Sequence, residues 1–286
     1  MNKNTFKTAA LLAALGALMI GIGSFWGAQG ATIGLIVGLV FTGGSYWFSD
    51  KIAIAASRAK PVSEAEAPEY YRVVRELSQS AGIPMPRLYI TPDTQPNAFA
   101  TGRNPKNAAV AVTRGLLDVC DAYELRGVLA HELAHVKHRD ILISSVAAAV
   151  AMAIMFIARM AMWGAIFGGG GRDNNRGGNV IGLLAMMILA PLAAMLIQAA
   201  ISRSREFEAD REGARIAGGG EGLARALEKL EAAAKRVPMN AHPAMEQAYI
   251  VSPFGGRRSA ANFANLFSTH PPAQERIRRL RSPNLI

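Results

Sequence analysis

The sequence predicts a mainly helical, polytopic membrane protein: four transmembrane helices in two hairpins, with a polar α+β domain that the second hairpin interrupts. Three observations predict it. Thr8 to Ser49 is a run of 42 residues without Asp, Glu, Lys, Arg or His. A second charge-poor region starts at Ile141 and, after the glycine-rich loop 168–178, continues to Ser202. The flanking segments alternate amphipathic helical spacing with short β-branched runs. Composition agrees, since 18% of residues are charged against about 25% in an average soluble domain. At 51% hydrophobic the chain is too apolar to be disordered, and a single cysteine, Cys120, rules out a disulfide framework. The net charge of +10 suits nucleic acid or an anionic membrane surface, and the apolar runs favour the membrane.

One span takes about 20 residues, so the first run predicts spans near 7–27 and 30–49, with Trp26, Tyr46 and Trp47 as interfacial aromatics. A cleaved signal peptide competes for the first span, but a second apolar run follows at once. The later region predicts spans at 141–167 and 179–202; Arg159 and Pro191 would also suit a buried soluble hairpin. Lys3, Lys7, Lys51, Arg58 and Lys60 flank the first pair, and Lys137, Arg139, Arg203 and Arg205 the second. This bias places all the polar bulk on the cytoplasmic side. The chain thus divides into a hairpin (1–50), a first polar part (51–140), a second hairpin (141–202) and a second polar part (203–286).

In the first polar part, Ser63 to Ala81 reads as a helix capped by Ser63, with Glu64 and Glu66 in its first turn and Gly82 at its end. Arg87–Ile90, Asn97–Thr101 and Ala108–Thr113 read as strands. Asp118 or Asp121 then opens a helix that runs through residues 131–140.

That helix carries His131-Glu132-Leu133-Ala134-His135. Residues four apart lie about 40° around a helix and about 6 Å along it, so both imidazoles can share one Zn²⁺ while Glu132 reaches a water on it. A hydrolytic zinc needs a third protein ligand and an open position. His138, about 10 Å along the axis from His131, is too far away and reads as a juxtamembrane cation. In Ser202–Asp210, Glu206 and Asp210 share a helix face, so one can bind metal and the other hold a His ring; Glu208 faces away. A solvated network with Arg203, Arg205 and Arg211 is the competing reading for these acids.

His131–His135, the later Ser202-Arg-Ser-Arg-Glu-Phe-Glu-Ala-Asp210, Pro96–Gly102 and Ser268-Thr-His-Pro-Pro272 together resemble the HtpX family. These are bacterial heat-shock membrane zinc metalloproteases related to the CAAX prenyl proteases. The resemblance covers nearly the whole chain and implies a zincin-like (gluzincin) peptidase domain facing the cytoplasm at the inner membrane. It implies one Zn²⁺ per chain held by His131, His135 and Glu206, Glu132 as catalytic base, and Asp210 orienting the site. It further implies proteolytic quality control of misfolded or damaged membrane proteins, with the lipid bilayer as the other partner. Asn97, Ala98 and Phe99 resemble the edge strand to which an extended substrate adds in related peptidases, although Phe99 equally suits a core.

His270, stiffened by Pro271 and Pro272, is a candidate to stabilise the developing oxyanion, or the trio simply starts a helix. The run Arg276, Arg278, Arg279, Arg281 reads as a solvated or lipid-facing helix face, and no nucleic acid is expected. If the zinc helix runs directly into the third span, the metal lies close to the cytoplasmic headgroups. The rivals are a processing peptidase with one defined substrate and a zinc-stabilised scaffold that binds unfolded chains without cutting.

Overall fold

The computed structural model describes residues 27–143, 203–234 and 271–283, with isolated positions before residue 25 and at 236 and 250. Helix α1 (Gly27–Ala56) leads into strand β1 (Lys60–Pro61), helix α2 (Pro68–Ala81), and strands β2 (Arg87–Thr91), β3 (Ala98–Gly102) and β4 (Ala108–Thr113). Helices α3 (Arg114–Val119), α4 (Ala122–His138), α5 (Arg203–Ala217), α6 (Glu221–Ala234) and α7 (Ala273–Leu280) follow. The four strands lie in the order β1-β2-β4-β3, with β2 and β4 parallel and the other pairs antiparallel.

Alternation along the strands divides their side chains between two faces. Ala98, Ala100, Val110 and Val112 join the core formed with α2, α4, α5 and α6. Phe99 and Ala111 turn the other way and pack on Ala53 of α1. Phe99 is therefore a core residue, fully buried, even though it sits in the strand expected to meet substrate.

The helix expected from Ser63 starts later, at Pro68. Proline disfavours a helical residue before it but fits the first helical position, and Ala67 has a non-helical φ of −143°. Ser63 instead closes a turn, its amide and hydroxyl both donating to Glu66 Oε2, at 2.7 and 2.6 Å. Helix α4 opens on Asp121, through a reciprocal capping box with Glu124. It does not run directly onward. Arg139 adopts φ 61° and its amide bonds back to the carbonyls of His135 and Val136, which ends α4 before the helical residues 140–143.

The predicted span 30–49 lies within α1. Among the described residues no helix is long and apolar enough to cross a membrane. The spans near 7–27, 141–167 and 179–202 fall largely or wholly outside the described residues, as do His270 and the loop 168–178. Gly34 and Gly38 of α1 lie close against Gly16 and Met19: a Cβ on Gly38 would sit 3.3 Å from Gly16 Cα.

Candidate metal centre

Helix α4 presents His131 and His135 one turn apart, and α5 crosses it where Gly213 lets the two backbones approach. A Cβ at Gly213 would lie 3.0 Å from both Cα and N of His131. This contact brings Glu206 to the histidine pair. The two Nε2 atoms are 3.2 Å apart, and Glu206 oxygens lie 3.7 Å from His131 Nε2 and 3.6 Å from His135 Nε2. Tetrahedral bonds of about 2.0–2.1 Å hold neighbouring ligand atoms about 3.3–3.4 Å apart, so the triangle has the size such an ion requires.

Two carboxylates set the direction of the lone pairs. Asp210 Oδ1 lies 3.0 Å from His131 Nδ1, and Asp140 Oδ2 lies 3.2 Å from His135 Nδ1. With each Nδ1–H donated outward, both Nε2 atoms turn lone pairs toward the same point. Two lone pairs 3.2 Å apart cannot bond to each other, but they can share a cation.

Electrostatics make the same demand. Glu132, Asp140, Glu206 and Asp210 are buried, against the two buried guanidiniums of Arg205 and Arg276. With both imidazoles neutral, as metal ligation requires, four carboxylates and two guanidiniums leave −2, which a divalent ion cancels. Burial, with Arg276 beside it, pushes His131 down to about 4. Burial opposes charge on His135 too, but the Asp140 hydrogen bond and the Glu206 charge outweigh it and lift His135 to about 9, so without an ion its Nε2 holds a proton that a metal would displace to expose the lone pair. For Asp210, burial works against ionisation, while Arg276 and His131 hold it down at about 2.

Arg276 is a member of this site that the pattern of charges concealed. It belongs to the basic run read as a solvated or lipid-facing face, yet it is 1% exposed. Its Nε and Nη2 donate to the two Asp210 oxygens at 2.9 and 2.7 Å, the forked geometry that suits a guanidinium and a carboxylate. Its Nη1 donates to the Ile250 carbonyl at 3.2 Å, while the Ile250 amide donates to the Ala98 carbonyl at 3.2 Å. The edge strand is thus tied to the metal-side carboxylate through one arginine. Elsewhere in the run, Arg279 stacks on Phe207 at 3.6 Å and Arg281 pairs with Glu221 and Glu228. The signal available in the sequence was spacing: Arg276, Ile277 and Leu280 share the buried face of α7.

Asp140, on His135, and Tyr70, beside Glu132, are further neighbours of the centre that the sequence did not single out. Tyr70 is buried, its hydroxyl donating to the Val110 carbonyl at 3.1 Å; burial and then the nearby Glu132 charge push its pKa up. Glu132 is 3% exposed, and Glu208 is exposed on the far side of α5. His138, the last residue of α4, is not in the ligand cluster of His131, His135 and Glu206. At the sheet edge, the Asn97 carbonyl accepts from Thr113 on the β4 side. Alternation then turns the backbone groups of Ala98 and Ala100 outward, and Ile250 takes the Ala98 carbonyl.

Residues 64–284 match Peptidase family M48. The chain is 58% identical over 281 residues to a protein named Protease HtpX homolog from Syntrophobacter fumaroxidans, covering 97% of this chain and 98% of that one. A Protease HtpX homolog from Thermococcus kodakarensis is 53% identical over 277 residues, covering 96% of this chain and 94% of its own. The crystal structure of S. mikatae Ste24p shares the fold, with a TM-score of 0.51 at 17% identity, over 96% of this chain and 64% of the longer Ste24p chain.

Proposed function

Because the chain belongs to peptidase family M48 and is a metalloprotease, we propose that it is a zinc-dependent endopeptidase of the cytoplasmic membrane that degrades misfolded or damaged membrane proteins. The observation that carries the metal assignment is the convergence of His131, His135 and Glu206, whose donor atoms lie within 4.8 Å of one another. Two imidazoles and one carboxylate suit zinc best among the common divalent ions. A zinc ion held there supplies Lewis acidity, lowering the pKa of water and polarising a carbonyl. Glu132, next to the first ligand on α4, takes the proton of the attacking water and returns it to the departing amine. Asp140 and Asp210 keep the imidazoles oriented, and Arg276 keeps Asp210 ionised. An extended substrate would add along β3, reading main chain rather than side chains, which favours unfolded segments.

Membrane attachment is supported by the long charge-free amino-terminal run and by the close Gly34–Gly38 contact with Gly16 and Met19, the small-residue packing typical of helices in lipid. It is also supported by exposed Ile33, Ile36, Leu39 and Val40 on α1. With the polar parts cytoplasmic by the positive-inside bias, the metal centre faces the cytoplasm.

The test uses full-length, detergent-purified protein, metal-free and zinc-reloaded, with an unfolded protein such as casein as substrate. Zinc should restore cutting to wild type, and Glu132→Gln should bind zinc with wild-type stoichiometry yet fail to cut. Wild type that holds zinc without cutting casein or any unfolded membrane protein would overturn the reading and favour the scaffold or the single-substrate peptidase.

A further inference from the structure

On the opposite side of the sheet from the metal centre, where α1 meets β2 and the turn before β4, lies a cavity of about 550 Å³. Its rim carries Trp47, Asp50, Lys51, Arg87, Arg103 and Asn107. Three cations and one carboxylate leave it at +2. The carboxylate is already engaged, since Asp50 Oδ2 lies 2.5 Å from Arg87 Nη2. The other two cations have no acidic partner among the described residues. Arg103 sits over the Trp47 ring, its Cζ 4.4 Å from the centroid, and donates to the Trp47 carbonyl at 3.4 Å and to Asn107 Oδ1 at 3.3 Å. Lys51 sits 5.3 Å from the Phe48 ring centroid. Both are held on aromatic faces beside an open cavity, a placement that keeps a guanidinium and an ammonium presented to an anion.

The surroundings identify the anion. Trp47 and Phe48 are 56% and 51% exposed, and farther up the same helix Leu39 and Val40 are 64% and 67% exposed. From Val40 to Lys51 is eleven residues, about 16 Å of helix at about 1.5 Å per residue, so an acyl chain lying on α1 brings its headgroup to the cavity. Aromatic side chains favour the same interfacial level. A volume of about 550 Å³ is within the range of small-molecule sites.

We propose that this cavity binds the phosphate headgroup of an anionic phospholipid, with Arg103 and Lys51 contacting the phosphate and the acyl chains lying on the exposed apolar residues of α1. Arg87, neutralised by Asp50, shapes the wall. The positive balance selects an anionic lipid such as phosphatidylglycerol over a zwitterionic one, whose own cation would meet Lys51 and Arg103. The proposal rests on the membrane attachment proposed above.

The test compares full-length wild type with the Lys51→Gln/Arg103→Gln double variant, which leaves the Asp50–Arg87 pair and the metal centre in place. Native mass spectrometry and thermal shift in detergent would follow titration with dioctanoyl phosphatidylglycerol, dioctanoyl phosphatidylcholine and glycerol phosphate. Wild type should prefer phosphatidylglycerol over phosphatidylcholine. The double variant should bind it about 30-fold more weakly, from roughly fivefold per lost basic contact, with unchanged metal content. Equal binding of the two lipids, or undiminished phosphatidylglycerol binding by the double variant, would overturn the proposal. So would a wild-type shift reproduced by glycerol phosphate alone, which would mark a free-phosphate site, or by an acidic peptide that displaces the lipid. Flotation of both proteins with neutral phosphatidylcholine vesicles is the separate check on attachment: failure of wild type to float would refute the membrane reading itself, whereas floating with no lipid preference would refute only the headgroup site.

Discussion

The crossing of α4 and α5 at Gly213 sets the size of the ligand triangle, and Gly213→Ala tests that relation. A Cβ there would stand 3.0 Å from His131 Cα and N and 3.2 Å from Ala130 C, whereas carbon contacts settle at about 3.5–4.0 Å. The obstructing atoms are helix backbone, which cannot rotate away, so α5 must retreat by a few tenths of an ångström. Glu206 and Asp210 lie on the same helix, seven and three residues earlier, and retreat with it. The carboxylate oxygens, now 3.6 and 3.7 Å from the two Nε2 atoms, would move beyond what bonds of about 2.0–2.1 Å can bridge without distortion. Metal affinity should fall about 10- to 100-fold, the scale seen when the supports of metal ligands are disturbed. Stability should change much less. Overpacking costs about 1–3 kcal/mol, and replacing a mid-helix glycine by alanine returns about 1 kcal/mol, so the net loss is about 0–2 kcal/mol. Zinc affinity by competition with a chromophoric chelator, and thermal unfolding of the metal-free protein, separate the two effects. A folded Gly213→Ala protein with wild-type affinity would refute the claim that this contact fixes the triangle.

Asp140→Asn should weaken zinc binding about 10- to 100-fold in the same competition assay, and an unaltered affinity would remove Asp140 from the support of His135. Arg276→Met strands the Asp210 carboxylate in a buried place and should cost about 3–5 kcal/mol in chemical denaturation; Arg276→Lys should recover only part of this, lacking the fork. Glu212, which bonds to Arg215 on its own helix and to Lys137 on α4, is held at about 2 against an ordinary 4.5. Its folded pKa is depressed, so its contribution is complete above about pH 4.5 and is lost as pH falls toward about 2. With both cations partly exposed, about 1–2 kcal/mol is expected after screening. Glu212→Gln should flatten that part of the stability profile, and an unchanged slope would refute the pairing.

The sequence by itself determined the elements whose causes are local. The capping residues Asp121 and Glu124 mark the start of α4, the four-residue spacing of His131 and His135 puts both rings on one face, and the alternation of Ala108–Thr113 makes a strand, all within a few residues of chain. Glu206 and Asp210 were distinguishable from Glu208 for the same reason, helical phase. Pro68 was a local signal as well, and it moved the start of α2 past the cap expected at Ser63. Only the tertiary structure could show which distant groups complete the site. Asp140 turns onto His135 because Arg139 breaks the helix with a left-handed residue, and Arg276 reaches Asp210 across 66 positions because α7 packs its buried face toward α5. Charge patterning reads a basic run as solvated, since an isolated arginine strongly favours water. Burial reverses that preference only where a carboxylate already waits, and where two segments meet is decided by the packing of the whole core.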